Sequence, residues 1–219
     1  RVGVRRCCQG AGAMRQQFLE WWSRVDARGN GENQFRRVVS AYSEPHRYYH
    51  TLNHIEACLE DLALARHVAR EPDALEGALW YHDVVYDPTR TDNEQRSAVA
   101  WYNMCLSAKL TEAFAEQGAR LILETSEHDS GGGDGDLMVD IDLAIFGKPP
   151  RIYDAYERAI RKEYEWAPVE VFNPKRVQVL QRFASGGRVY TTDFFEDRYG
   201  TQALENLARA IEALRPTGP

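Results

Sequence analysis

Cysteine is scarce in this chain, with four in 219 residues. Cys7, Cys8, Cys58 and Cys105 contain no CxxC pair, so neither a zinc ribbon nor a disulfide framework is indicated. Cys58 and Cys105 fall inside helical patterns and read as small core residues. Such cysteine usage suits a reducing compartment, and a cytoplasmic location is expected. Long hydrophobic runs are missing too: none approaches the ~20 apolar residues of a membrane span. There is no excess of positive charge. The formal charge is -6, so the overall field attracts neither nucleic acid nor an anionic membrane. A phosphorylated ligand would have to be held locally, by a metal or a few arginines. No fixed-period repeat and no alternation of strands with helices is present.

What is present is helical periodicity. Phe18, Trp21, Trp22 and Val25 recur as one face of a helix from Met14. Asn30-Gly31 breaks it, and Phe35, Val38, Val39 and Tyr42 mark a second helix. Ile55, Cys58, Leu59 and Leu62 mark a third, predicted to start near His46 after Pro45. A fourth opens at Pro72-Asp73, with Asp73 and Glu76 as a capping box. It carries Leu75, Ala78, Leu79, His82 and Val85 and ends at Asp87-Pro88. Thr91 to Glu94 is a second capping box, opening a fifth helix, and Thr111 opens a sixth. A glycine-rich loop fills 129–135. An apolar stretch at 137–146, helices over 151–166 and 168–184, an extended 189–191 and a final helix with Leu204, Leu207, Ala208, Ile211 and Leu214 complete the chain. The fold class is all-α. Residues 1–13 are expected to be a disordered or non-native tail, and the domain to span 14–216.

Three places combine residues that bind metals. His50 and His54, four apart, would share a helix face ~6 Å apart, with Arg47 one turn earlier. Taken alone, these residues read equally as amphipathic packing. His82-Asp83 lies in the apolar stretch 78–86, where a carboxylate is costly unless paired or bound to a cation. The pair could also be a buried hydrogen-bonded couple, or Asp83 could pair with an arginine. Asp140 and Asp142 sit within an apolar run with no Lys or Arg close by, and two like charges there repel unless a cation lies between them. Mixed nitrogen and oxygen ligands without thiolate suit Mn, Fe, Zn, Co or Ni, or Mg with water completing the shell.

The order His, His-Asp, Asp on successive helices resembles the HD phosphohydrolase superfamily. The segments HRYYHTLNHI (46–55), WYHDVVYDP (80–88), DNEQRSA (92–98), DIDLAIFG (140–147) and IRKEY (160–164) resemble the predicted metal-dependent HD phosphohydrolases of bacteria, and the likeness runs from about Met14 to Leu214. It implies a compact multi-helix HD-domain bundle. A divalent ion would be held by His50, His82, Asp83 and Asp142, with Asp140 as the alternative last ligand or as partner to one. His128 stands where some members carry ligands for a second metal, and reads equally as a helix C-terminal histidine. The implied activity is hydrolysis of a small phosphate ester, such as a nucleotide or related metabolite, by metal-activated water. Asp83 or a nearby carboxylate would assist deprotonation, Asp92 and Asn93 would orient the attacking water, and Glu94 is a further catalytic candidate that reads also as part of its capping box. Arg47, His54 and Arg161 would contact substrate. The alternatives are a non-catalytic metal- or nucleotide-binding module and a helical interaction protein.

Overall fold

A computed structural model describes residues 4–127 and 131–215, with side chains from residue 12 onward except that of Glu127. The first three residues of the expected tail, and His128, lie outside the described residues. The described elements are helices and turns, and none of these helices is long and apolar enough to cross a membrane. The chain divides into two compact units, Arg1–Glu44 with His50–Met138, and Pro45–Tyr49 with Val139–Pro219.

The first unit contains α1 (Val4–Arg24), α2 (Gly31–Ala41), α3 (Leu52–Ala65), α4 (Pro72–Tyr81), α5 (Asn93–Ser107) and α6 (Glu112–Glu127), and the first residues of α7 (Asp134–Asp142). Helix α1 runs back to Val4, well before the Met14 start read from the apolar pattern. Each residue added to an existing helix gains a hydrogen bond without a new nucleation cost. Asn30, read from the sequence only as a break, caps α2, its side chain accepting from Asn33 N at 2.9 Å. Helix α4 is the hub: Ala74 through Tyr81 are all buried, packed by α1, α3, α5 and α6. Trp80 meets Phe18 edge-on at 5.2 Å, and Tyr81 meets Trp101 edge-on at 5.4 Å. Gly77 and Gly118 are the recesses that admit Trp101, since a Cβ on either would lie 2.4 Å from its ring.

Both expected capping boxes are replaced. Asp73 and Glu76 instead take Arg24 and Arg66, and Asp134 accepts from Arg70 N and Glu71 N at 2.8 and 2.7 Å at the entry to α4. Helix α5 starts after Asp92, not Thr91. The third helix starts at Leu52, so His46 to His50 lie in a turn before it. The fourth ends at Tyr81, which leaves His82, Asp83 and Val85 in the turn that follows.

The second unit contains the end of α7, a 3-10 turn over Leu143–Gly147, α8 (Pro150–Glu163), α9 (Val169–Ala184), the short α10 (Asp193–Phe195), a π turn over Glu196–Gly200 and α11 (Thr201–Leu214). Phe146, Tyr153, Tyr156, Leu180, Tyr190, Phe195 and Leu207 form its core. Burial of each such side chain is worth ~1.5–3 kcal/mol. Residues 189–191 form no strand. They are loop, held to Glu196 by Val189 N and Tyr190 N at 3.1 and 3.0 Å.

Candidate metal centre

His54 lies in the first turn of α3, and His82-Asp83 directly follows α4. The packing of α3 on α4 turns these residues toward one another. His82 Nδ1 is 3.0 Å from the Leu79 carbonyl. A carbonyl can only accept, so Nδ1 carries the proton and Nε2 presents a lone pair. That Nε2 lies 3.1 Å from His54 Nε2. Asp83 Oδ2 lies 3.1 Å from His82 Nε2 and 3.6 Å from His54 Nε2. All three residues are buried. Two ring nitrogens and a carboxylate oxygen meeting out of water call for a proton or cation among them. Burial pushes the Asp83 carboxyl up, but His82, His50 and His54 outweigh it and hold it well below the usual carboxylate range.

The histidine that faces His82 is thus His54, which the sequence had placed as a substrate contact. His50 is half-buried, stacked on Tyr86 at 4.1 Å, with its ring centroid 6.0 Å from that of His54. The shared helix face expected for His50 and His54 is absent because the chain enters α3 only at Leu52. His54 Nε2, His82 Nε2 and Asp83 Oδ2, all of the first unit, lie within 3.6 Å of one another.

The two aspartates of the apolar run have different surroundings. Asp142 is half-buried at the end of α7. Asp140 is fully buried and accepts from Thr191 N at 2.8 Å, Thr192 N at 2.7 Å and the Thr192 hydroxyl at 2.5 Å.

Arg47 is buried in the 45–49 segment, at 5% exposure. Glu163 holds that segment, accepting from Tyr48 N and Tyr49 N through Oε1, both at 2.7 Å. Arg161 donates to the Tyr164 and Ala167 carbonyls beyond α8 and lies over the Phe172 ring at 4.7 Å, so its guanidinium closes a helix end. Lys162 pairs with Glu165. Asp92 takes a two-pronged bond from Arg90, both at 2.6 Å, on a half-exposed surface. Glu94 is half-buried in the first turn of α5.

Asn93, expected to orient water, instead braces the turn after Asp83, and two residues that the sequence did not single out, Ser97 and Glu163, brace turns as well. Asn93 accepts from Asp87 N at 3.1 Å and donates to Asp87 O at 2.9 Å. Ser97 accepts from Val85 N at 3.1 Å and donates to Val85 O at 3.2 Å. Together they hold the turn that follows Asp83. Glu163 does the same for the turn that precedes His50. A signal existed for each. Glu163 continues the buried stripe Tyr153, Tyr156, Ile160 of α8, and Asn93 and Ser97 lie on the buried stripe of α5 with Ala98 and Trp101. A polar residue on such a stripe needs a partner.

Comparison with family models, curated proteins and solved structures finds no match to this chain. The donor set is therefore the ground for a functional reading. Imidazole nitrogens with a carboxylate oxygen fit a borderline divalent ion such as Zn²⁺, Mn²⁺ or Fe²⁺, and the buried Cys58 thiol lies 3.6 Å from His54 Nδ1.

Proposed function

We propose that this chain is a metal-dependent phosphohydrolase of the HD superfamily, acting on a small phosphate ester such as a nucleotide. The observation that carries the reading is the approach of His54 Nε2 and His82 Nε2 to 3.1 Å beside the buried Asp83. His54, His82 and Asp83 would hold the ion, with His50 at the edge of the set. When bound, a divalent ion lowers the pKa of water toward neutrality and polarises a phosphoryl oxygen. The protein's own groups supply the rest. His82 is kept in one tautomer by the Leu79 carbonyl, which orients its ring. Asp83, held ionised by its imidazole neighbours, presents Oδ2 beside both ring nitrogens as a ligand atom. Asn93 and Ser97 keep the turn after Asp83 from shifting.

The test is elemental analysis of the purified protein together with a metal-by-substrate activity screen over phosphorylated metabolites, with Asp83→Ala as control. Stoichiometric metal and a chelator-sensitive turnover absent from Asp83→Ala are expected. Metal without any turnover would leave a binding module, and activity surviving full metal removal would refute the proposal.

A further inference from the structure

His54 and Cys58 stand four apart on α3, among the residues that this helix buries. Side chains at that spacing are neighbours, with Cβ atoms ~5–6 Å apart. The Cys58 sulfur lies against the imidazole, 3.6 Å from Nδ1 and 3.8 Å from Nε2. His54 is 4% exposed and Cys58 2%, and the cysteine is a free thiol. Both residues belong to the first unit, as do His82 and Asp83.

His54 and His82 present Nε2 to each other, yet their rings are steered by different means. His82 follows α4, and the Leu79 carbonyl, three residues back, fixes its Nδ1 proton. His54 lies inside a helix, where backbone carbonyls serve the helix's own hydrogen bonds. The nearest orienting groups along the chain are then side chains three or four positions away. One turn further on, Ala57 offers no polar atom and Cys58 offers a thiol. When Nε2 lends its lone pair to an ion, the ring proton sits on Nδ1, the nitrogen nearer the sulfur. Sulfur is a weak acceptor, but both groups are shielded from bulk water and the helix fixes their spacing.

We infer that Cys58 is the positioning residue of His54: its sulfur accepts from Nδ1 and holds the ring with Nε2 toward His82 and Asp83. The inference rests on the metal reading proposed above and deepens it, because it gives a task to a cysteine that helical periodicity alone makes a core filler. Ligand-orienting partners typically alter metal affinity by ~10- to 100-fold when removed. A thiol, a weaker acceptor than a carboxylate, belongs at the low end of that range.

The test is a calorimetric titration of chelator-stripped full-length protein with Zn²⁺ and, separately, Co²⁺. The Co²⁺ absorption spectrum and the metal-free Tm are further readings. His82→Ala should abolish binding. Cys58→Val fills the sulfur's space without an acceptor and should weaken binding about 10-fold. Cys58→Ser keeps a polar atom at the position and should bind more tightly than Cys58→Val. Wild-type protein loaded with Co²⁺ should show no thiolate charge-transfer band, because the sulfur stays off the ion. A filler role predicts the reverse order: Cys58→Val would keep wild-type affinity, and Cys58→Ser, which buries a hydroxyl, would lower the metal-free Tm. Equal affinities in the Val and Ser variants, while His82→Ala abolishes binding, overturn this inference alone. A thiolate band in the wild type also overturns it, since Cys58 would then be a ligand. A wild type that binds neither ion overturns the metal reading and this inference with it. If Cys58→Val does not fold, Cys58→Ala takes its place in the comparison with Cys58→Ser, and equal affinities again overturn the inference.

Discussion

Buried carboxylates are accommodated differently around α4 and around α8. Glu76, at 3% exposure, is met by two guanidinium groups, those of Arg24 and Arg66. Glu163, equally buried, is met by two backbone N–H groups from Tyr48 and Tyr49. The first solution satisfies charge with charge and joins three helices by side chains that remain partly in water. The second engages the N–H dipoles of a turn and so fixes a backbone path. The difference teaches what each carboxylate is for: Glu76 holds helices together, whereas Glu163 shapes the segment that carries Arg47 and leads into His50.

The largest break in this comparison is Glu76→Ala, which leaves Arg24 and Arg66 with only Asp73 to share. Removing one partner of a buried ion cluster costs ~3–5 kcal/mol, and the partial exposure of both arginines places this case at the lower end. The urea midpoint should fall accordingly with an unchanged slope.

Glu163→Ala should cost less, ~2–3 kcal/mol, because two N–H groups lose an acceptor in a partly buried place. Glu163→Gln sharpens the contrast. Both bonds end on one oxygen, Oε1. An amide oxygen can replace it, so the loss should stay near ~1 kcal/mol or below. A Gln variant as damaged as the Ala variant would show that the negative charge, and not the acceptor, matters.

Cys105 is a buried acidic group of another kind, with no charged partner among the described residues. Burial alone pushes its thiol up to about 12 from an ordinary value near 9.0. A raised pKa contributes stability that is fully present below pH ~9 and is lost as pH rises through about 12. Stability of the wild type should therefore fall over that window more steeply than that of Cys105→Ala. Native Cys105 should also resist alkylation at pH ~8.5 and react once the chain is unfolded, as read by mass spectrometry.

The smallest effect is expected at Asp92. Its bond with Arg90 is two-pronged but half-exposed and screened by solvent, and Asp92→Ala should leave the urea midpoint almost unchanged.

Much of the architecture is legible along the chain. The apolar spacing of Phe18, Trp21 and Trp22, the break at Asn30-Gly31, and the extents of α8 and α9 all follow from local pattern. The errors share one cause. The third helix was expected from His46, but Glu163, more than a hundred residues away, captures the N–H groups of Tyr48 and Tyr49 and holds a turn there. The Asp73–Glu76 and Thr91–Glu94 spacings match capping boxes, yet long-range arginines claim the first pair and α5 begins after Asp92 instead of Thr91. For the site, His82 and Asp83 were legible because a polar pair in an apolar run needs a reason. The choice between His50 and His54 was not, because it depends on where α3 begins.

The sequence by itself determined that this protein is helical, that α4 would be buried, and that a few imidazoles and carboxylates would have to be reconciled with an apolar interior. Those follow from hydrophobic spacing and desolvation, which act within a dozen residues. Only the tertiary structure decided which histidine faces His82, and that Asp140 grips a distant threonine turn. Those outcomes depend on hydrogen bonds between residues far apart in the chain, and the free energy of such a bond is defined only once the fold has brought its donor and acceptor together.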